Sequence, residues 1–133
     1  MIMPGMLLPP TFVDTELVEV VHITDLRSAA THYPSRGLIG DTVAIWAGEE
    51  AAEALSLITG LAGGDAYRCF VPRWGIRAHG ATSPLFEIAF CFRCQATRGR
   101  RIDSGRGQFG EHFDAASPAA VELLRRFDAC LPD

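Results

Sequence analysis

The sequence predicts an α+β domain, an antiparallel sheet of five to six strands with two main helices packed on one face. Three observations carry this. Short runs rich in β-branched and aromatic residues follow one another across turn-length glycine and proline segments, which implies hairpin-like antiparallel pairing. Two longer segments carry apolar residues at helical spacing. The chain has 133 residues, 48% of them hydrophobic and 21% charged, enough for one core and incompatible with wholesale disorder.

Taken in order, residues 1–14 open with "MIMPGMLLPP" and read as a loose N-terminal arm, with residues 15–133 as one domain. The arm lacks the basic start and long apolar run of a signal peptide, and the chain has no apolar run of the roughly 20 residues that span a bilayer. Both points place the protein in the cytoplasm, away from membranes. Residues 15–23, "TELVEVVHI", read as a strand apolar on both sides. "TDLRSAATHYP" opens a short helix at Thr24 or Asp25 that Pro34 stops, and "GDTVAIW" is a second strand.

The clearest helix is "GEEAAEALSLITGLAGG". Ala51, Ala54, Leu55, Ile58 and Leu61 recur at i, i+3, i+4 and i+7, Glu49, Glu50 and Glu53 sit near the positive N-terminus, and Gly63 and Gly64 end it. Three strands follow, "AYRCFV", "GIRAHG" and "LFEIAFCFRC", with Pro72 interrupting the ladder and "GATSP" as a turn. The glycine- and arginine-rich stretch from Arg98 to Gly107 reads as a hairpin loop, and "QFGEHF" as a last short strand. A closing helix has Ser117 as its cap and Pro118 at its first position, with Ala120, Leu123, Leu124, Phe127 and Leu131 as its apolar stripe.

Net charge is −4, and all twelve basic residues are arginine. The acidic balance argues against nucleic acid and anionic membrane as partners, while each arginine can grip a carboxylate in bidentate fashion. Four cysteines in a chain of this size with no export signal point to free, mostly buried thiols rather than a disulfide framework. Cys91 and Cys94 form a Cys-x-x-Cys. In an extended strand residues three apart face opposite ways, so Phe86, Ile88, Phe90, Phe92 and Cys94 share one face and Leu85, Glu87, Ala89, Cys91 and Arg93 the other. A zinc knuckle would instead place the pair on a turn and need a second pair of ligands. No metal or cofactor is therefore expected. If a metal site exists, its ligands come from Cys69, Cys91, Cys94 and His79.

The candidate binding residues are Arg73, Trp74, Arg77, His79, Glu87, Arg93, Arg98, Arg100 and Arg101. If the turn pairs His79 with Leu85, Arg77 lies opposite Glu87, and the sheet presents a solvated polar face. Trp74 beside Arg73 is a candidate exposed stacking unit, although a tryptophan at a turn more often caps the core. Arg98, Arg100, Arg101 and Arg106 among glycines could lie along nucleic acid, but without interleaved aromatics. His22, His79 and His112 could each act as a base, yet spacing gives none of them a partner. No catalytic residue is assigned.

The stretch "CFVPRWGIRAHG" with "EIAFCFRC" resembles a loose group of small bacterial proteins of no known activity. In that group a cysteine precedes a Pro-Arg-x-Gly-Ile/Leu-Arg strand, and a strand ending in Cys-Phe-x-Cys follows. The residues carrying the likeness are Cys69, Pro72, Arg73, Gly75, Ile76, Arg77, Cys91, Phe92 and Cys94, with a weaker echo in "FDAASPAAVELL". The group often has histidine where this chain has Trp74. The resemblance implies a shared fold only. Together these features favour a small, non-enzymatic cytoplasmic binding or accessory protein of the inhibitor or immunity type, acting on another protein through the polar sheet face. The alternatives are a thiol- or metal-dependent enzyme or sensor using Cys69, Cys91 and Cys94, and nucleic-acid binding through Arg98–Arg106.

Overall fold

The computed structural model describes residues 8–24, 37–65, 69–103 and 107–132. After a short 3-10 turn at Pro10–Asp14 come β1 (Leu17–His22), β2 (Asp41–Ala47), α1 (Glu49–Thr59), β3 (Trp74–His79), β4 (Pro84–Cys91), β5 (Ala96–Arg101), β6 (Gln108–Phe109) and α2 (Pro118–Asp128). The strands form a six-stranded antiparallel sheet in the order β2-β1-β3-β4-β5-β6, and both helices pack on one face. The α+β architecture is the expected one. Among the described residues no helix is long and apolar enough to cross a membrane.

Period-2 alternation explains which side chains the helices cover. Val18 and Val20 of β1, Ile76 and Ala78 of β3, and Phe86, Ile88 and Phe90 of β4 all face them and are fully buried. Phe127 of α2 is the hub of this core. Its ring lies nearly parallel to Trp74 and Trp46, at centroid distances of 5.2 and 5.6 Å, and tilts against Phe90 at 5.4 Å. Stacked and tilted pairs at these distances are the favoured geometries of aromatic packing.

Several elements differ from expectation. The run "AYRCFV" contributes no strand among its described residues; Cys69 to Arg73 is irregular, and the ladder starts at Trp74. Conversely Arg98–Arg101, read as the start of a loop running to Gly107, belongs to a strand, Ala96–Arg101, between β4 and β6. Gly99 is what admits it, since a Cβ there would lie 2.4 Å from the Phe109 ring. Helix α1 stops at Thr59, a turn before Gly63 and Gly64. Those glycines serve a close approach instead: Gly63 bridges Phe113, and a Cβ on Gly64 would fall 2.4 Å from the Phe113 backbone. Ser117 does hold the cap position of α2 with Pro118 next, but its hydroxyl donates back to the Asp114 carbonyl at 2.6 Å rather than capping the helix. The helix expected after Thr24 lies outside the described residues. Of the segment read as an arm, Leu8 and Phe12 pack against the main core.

Candidate functional site

The sheet face opposite the helices is graded. Toward one end Val21, Leu38, Phe70, Ala89, Cys91, Cys94 and Ala96 form a second small apolar cluster. Toward the other lies a row of residues in register across all six strands: Ile45, Glu19, Arg77, Glu87, Arg100 and Gln108. Arg77 does face Glu87, as the hairpin argument requires, although the turn pairs His79 with Pro84 across an irregularity at Ala78/His79.

The row is not a solvated face. The Glu87 side chain is only 2% exposed. It accepts from Arg77 Nε at 2.6 Å, from Arg100 Nε at 2.8 Å and from the Leu38 backbone N–H at 3.3 Å. Leu38 reaches it because Gly75 leaves room for the leucine methyls, 2.7 Å from where a Cβ would be. Arg77 also donates to Glu19 at 2.9 Å, and Glu19 is bonded by Thr42 and by His79 Nε2 at 3.0 Å. Burial pushes the Glu19 carboxyl up, but the hydrogen bonds from Thr42, His79 and Arg77, with the Arg77 charge, outweigh it and hold the pKa at about 2. The result is a chain of alternating charge across β1, β3, β4 and β5, each link an opposite-charge cross-strand pair.

The nine candidate binding residues therefore separate. Arg77, His79, Glu87 and Arg100 belong to the paired row and its edge. Trp74 is buried on the helix face against Phe127, not an exposed stacking unit. Arg101 pairs with Asp103 on that same side. Arg73, Arg93 and Arg98 are exposed, and no ion pair engages them among the described residues. Arg73 and Arg93 line one 250 Å³ cavity with Val71, Phe92 and Asp128. Arg98 lies over the Phe70 ring, 4.3 Å from its centroid, on the wall of a neighbouring cavity of the same size that contains Cys69 and His112. Arg106 lies outside the described residues.

The cysteines depart furthest from expectation. Strand β4 ends at Cys91, and residues 92–95 form a turn in which Gln95 has a φ of 56°. The turn brings Cys94 to the same side as Cys91, where it is bonded to Cys69 across 5.6 Å between Cα atoms. Two of the four thiols are thus joined, and Cys91 and Cys130 are free. The Cys91 sulfur accepts from Cys94 N–H at 3.1 Å and from Val71 N–H at 3.4 Å. His79 is at the far end of β3, bonded to Glu19, and cannot join these sulfurs. Among the described residues no three His, Cys, Asp or Glu side chains are grouped to hold a metal, and Cys69 and Cys94 are joined to each other.

Sequence reasoning missed Glu19 and Thr42. Their signal was weak: Glu19, like Glu87, is an acidic residue inside an apolar strand, but its partners lie 23 to 60 residues away. No protein family, curated protein or solved structure matches the chain significantly.

Proposed function

We propose that this chain is a non-enzymatic binding module of the inhibitor or immunity type, and that its partner is an acidic surface of another protein. The observation that supports it is the arginine rim. Arg73, Arg93 and Arg98 project from one end of the sheet without ion-pair partners among the described residues, in a chain of net charge −4. Arg73 and Arg93 line one cavity with exposed Val71, half-buried Phe92 and a single carboxylate, Asp128, while Arg98 lines the other, so two of the cations flank a small apolar centre. Arginine and aromatic groups about a desolvated centre are the composition of interface hot spots, and guanidinium groups fit carboxylates in two-point contacts. The row through Glu87 has a different part in this reading: its charges satisfy one another and hold the strands that carry the rim. The same reading places the protein in the cytoplasm, a reducing environment in which the Cys69–Cys94 pair would stand as two thiols.

The test is capture from the source cell with wild-type protein and with R73E/R93E, followed by reconstitution of the captured partner from purified components. A stoichiometric protein partner that binds wild type and loses affinity about 100-fold with the double reversal is expected, two buried charge pairs being worth a few kcal/mol. Absence of any stoichiometric partner, equal binding by R73E/R93E, or capture of nucleic acid in place of protein would each defeat the reading.

A further inference from the structure

The Cys-x-x-Cys turn carries an inference independent of the binding reading. We propose that, once the Cys69–Cys94 disulfide is reduced, Cys69, Cys91 and Cys94 form a three-thiolate site for a zinc-class divalent cation, with His112 as the fourth ligand.

The argument starts from the turn. A Cys-x-x-Cys in mid-strand sends its sulfurs to opposite faces and cannot chelate. Here β4 stops at Cys91, the next four residues turn, and Gln95 closes the turn in the left-handed region at φ 56°. Within it the Cys94 N–H points at the Cys91 sulfur, 3.1 Å away. The two-residue spacing on a turn is how structural zinc sites present two thiolates, and backbone N–H groups aimed at a ligand sulfur supply the outer-shell support such sites need. A second N–H, from Val71, reaches the same sulfur at 3.4 Å from the segment that follows Cys69. A non-glycine residue at positive φ is an uncommon conformation, here placed directly after the second cysteine.

The third thiol is already in place, because Cys69 and Cys94 are within bonding distance of each other. Cys91 and Cys94 are buried to 1% and 0% exposure in the apolar cluster, so a metal there would be shielded from water on the protein side. On the open side Cys69 shares the wall of its 250 Å³ cavity with His112. His112 bridges Ala96, and Ala96 is the register partner of Cys91, which puts His112 on the same sheet face two strands from Cys91. Three thiolates and one imidazole make a Cys3His set, suited to zinc by ligand softness and by number. Such a set with Zn²⁺ has a net charge of −1, and the exposed Arg98 guanidinium on the same wall offsets it.

The chemistry balances with reagents that can be named. A phosphine or dithiol reductant delivers two electrons, and with two protons the disulfide becomes two thiols. Zinc binding then releases three protons from Cys69, Cys91 and Cys94 and forms three Zn–S bonds. Disulfide and metal are alternative clamps on one cluster. Both tie the Cys69–Arg73 segment to the turn holding Arg93.

The test uses the full chain reduced with a phosphine in the absence of chelator, titrated with Zn²⁺ and with Co²⁺ as a spectroscopic stand-in. One equivalent is expected to bind, with thiolate-to-cobalt charge-transfer absorption and about three protons released. Three of the four cysteines should resist alkylation until chelator is added, leaving Cys130 reactive. Cys91→Ser should weaken binding by on the order of 100-fold and His112→Ala by roughly 10-fold, while Cys130→Ser should bind as wild type. No retained metal, a cobalt spectrum without thiolate bands, or alkylation indifferent to chelator would overturn the proposal, and the last readout needs no variant to fold.

Discussion

At the scale of single residues, Glu87 shows how a charge can be buried inside a sheet. Two guanidinium groups and one backbone N–H surround its carboxylate, and the arginines keep part of their surface in water, with side chains 25% and 35% exposed. Removing the carboxylate leaves Arg100 and the Leu38 N–H without their partner and Arg77 with Glu19 alone. Glu87→Ala is therefore expected to lower unfolding free energy by about 3 kcal/mol, the low end for breaking a buried pair because the arginines can turn to solvent. Urea denaturation measures it, and a loss under about 1 kcal/mol would mean the row contributes no more than surface pairs do. Glu19 makes a different prediction, in pH. Its folded pKa of about 2 lies below the ordinary value of 4.5, so between those values the unfolded chain holds a proton that the folded chain does not. Its stabilising effect is complete above about pH 4.5 and is lost as pH falls toward 2, with stability rising with pH in that window. Near pH 3 unfolding should take up close to one more proton in wild type than in Glu19→Gln. Equal proton uptake by the two would remove Glu19 from the acid response.

At the scale of elements, the helix-facing core was legible because each element carried its own period. The alternating Phe86, Ile88 and Phe90, and the stripe Ala120, Leu123 and Phe127, each announce a face from one segment alone. What periodicity could not give was which residue would become the hub, since contacts of Phe127 with Trp46, Trp74 and Phe90 join segments far apart in sequence. Phe127→Ala should cost about 4 kcal/mol, because it opens a cavity between two tryptophans that cannot collapse onto a sheet. Equilibrium unfolding checks the magnitude, and near-UV dichroism of the tryptophans should change in the folded state. A variant with wild-type stability would mean that Trp46 and Trp74 pack directly together when the ring is gone. Strand β5 was illegible for the opposite reason: Gly99 looks like a loop residue until Phe109 is seen filling the space where its side chain would be.

At the scale of the whole molecule, the fold class was readable and so was the Arg77–Glu87 pair, while the strand order that extends the pair into a row was not. Fold class follows from local patterns, but the row through Glu19, Arg77, Glu87 and Arg100 depends on a strand order in which β1 sits between β2 and β3. No local pattern states that order. The sulfur cluster was hidden likewise, because continuing the β4 alternation past Cys91 assigns Cys94 to the wrong side, and only the turn corrects it. The covalent link that results ties together residues 25 apart in sequence. Closing a loop of that size restricts the unfolded chain by an amount worth about 3 kcal/mol. Reduction in the presence of chelator should therefore lower stability by about that much, and Cys69→Ser should match the reduced wild type under both conditions. Urea unfolding of oxidised and reduced protein decides it. Coincident curves would show that the Cys69–Arg73 segment is held by the packing of Phe70 and the Val71 N–H alone, with no contribution from a sulfur clamp.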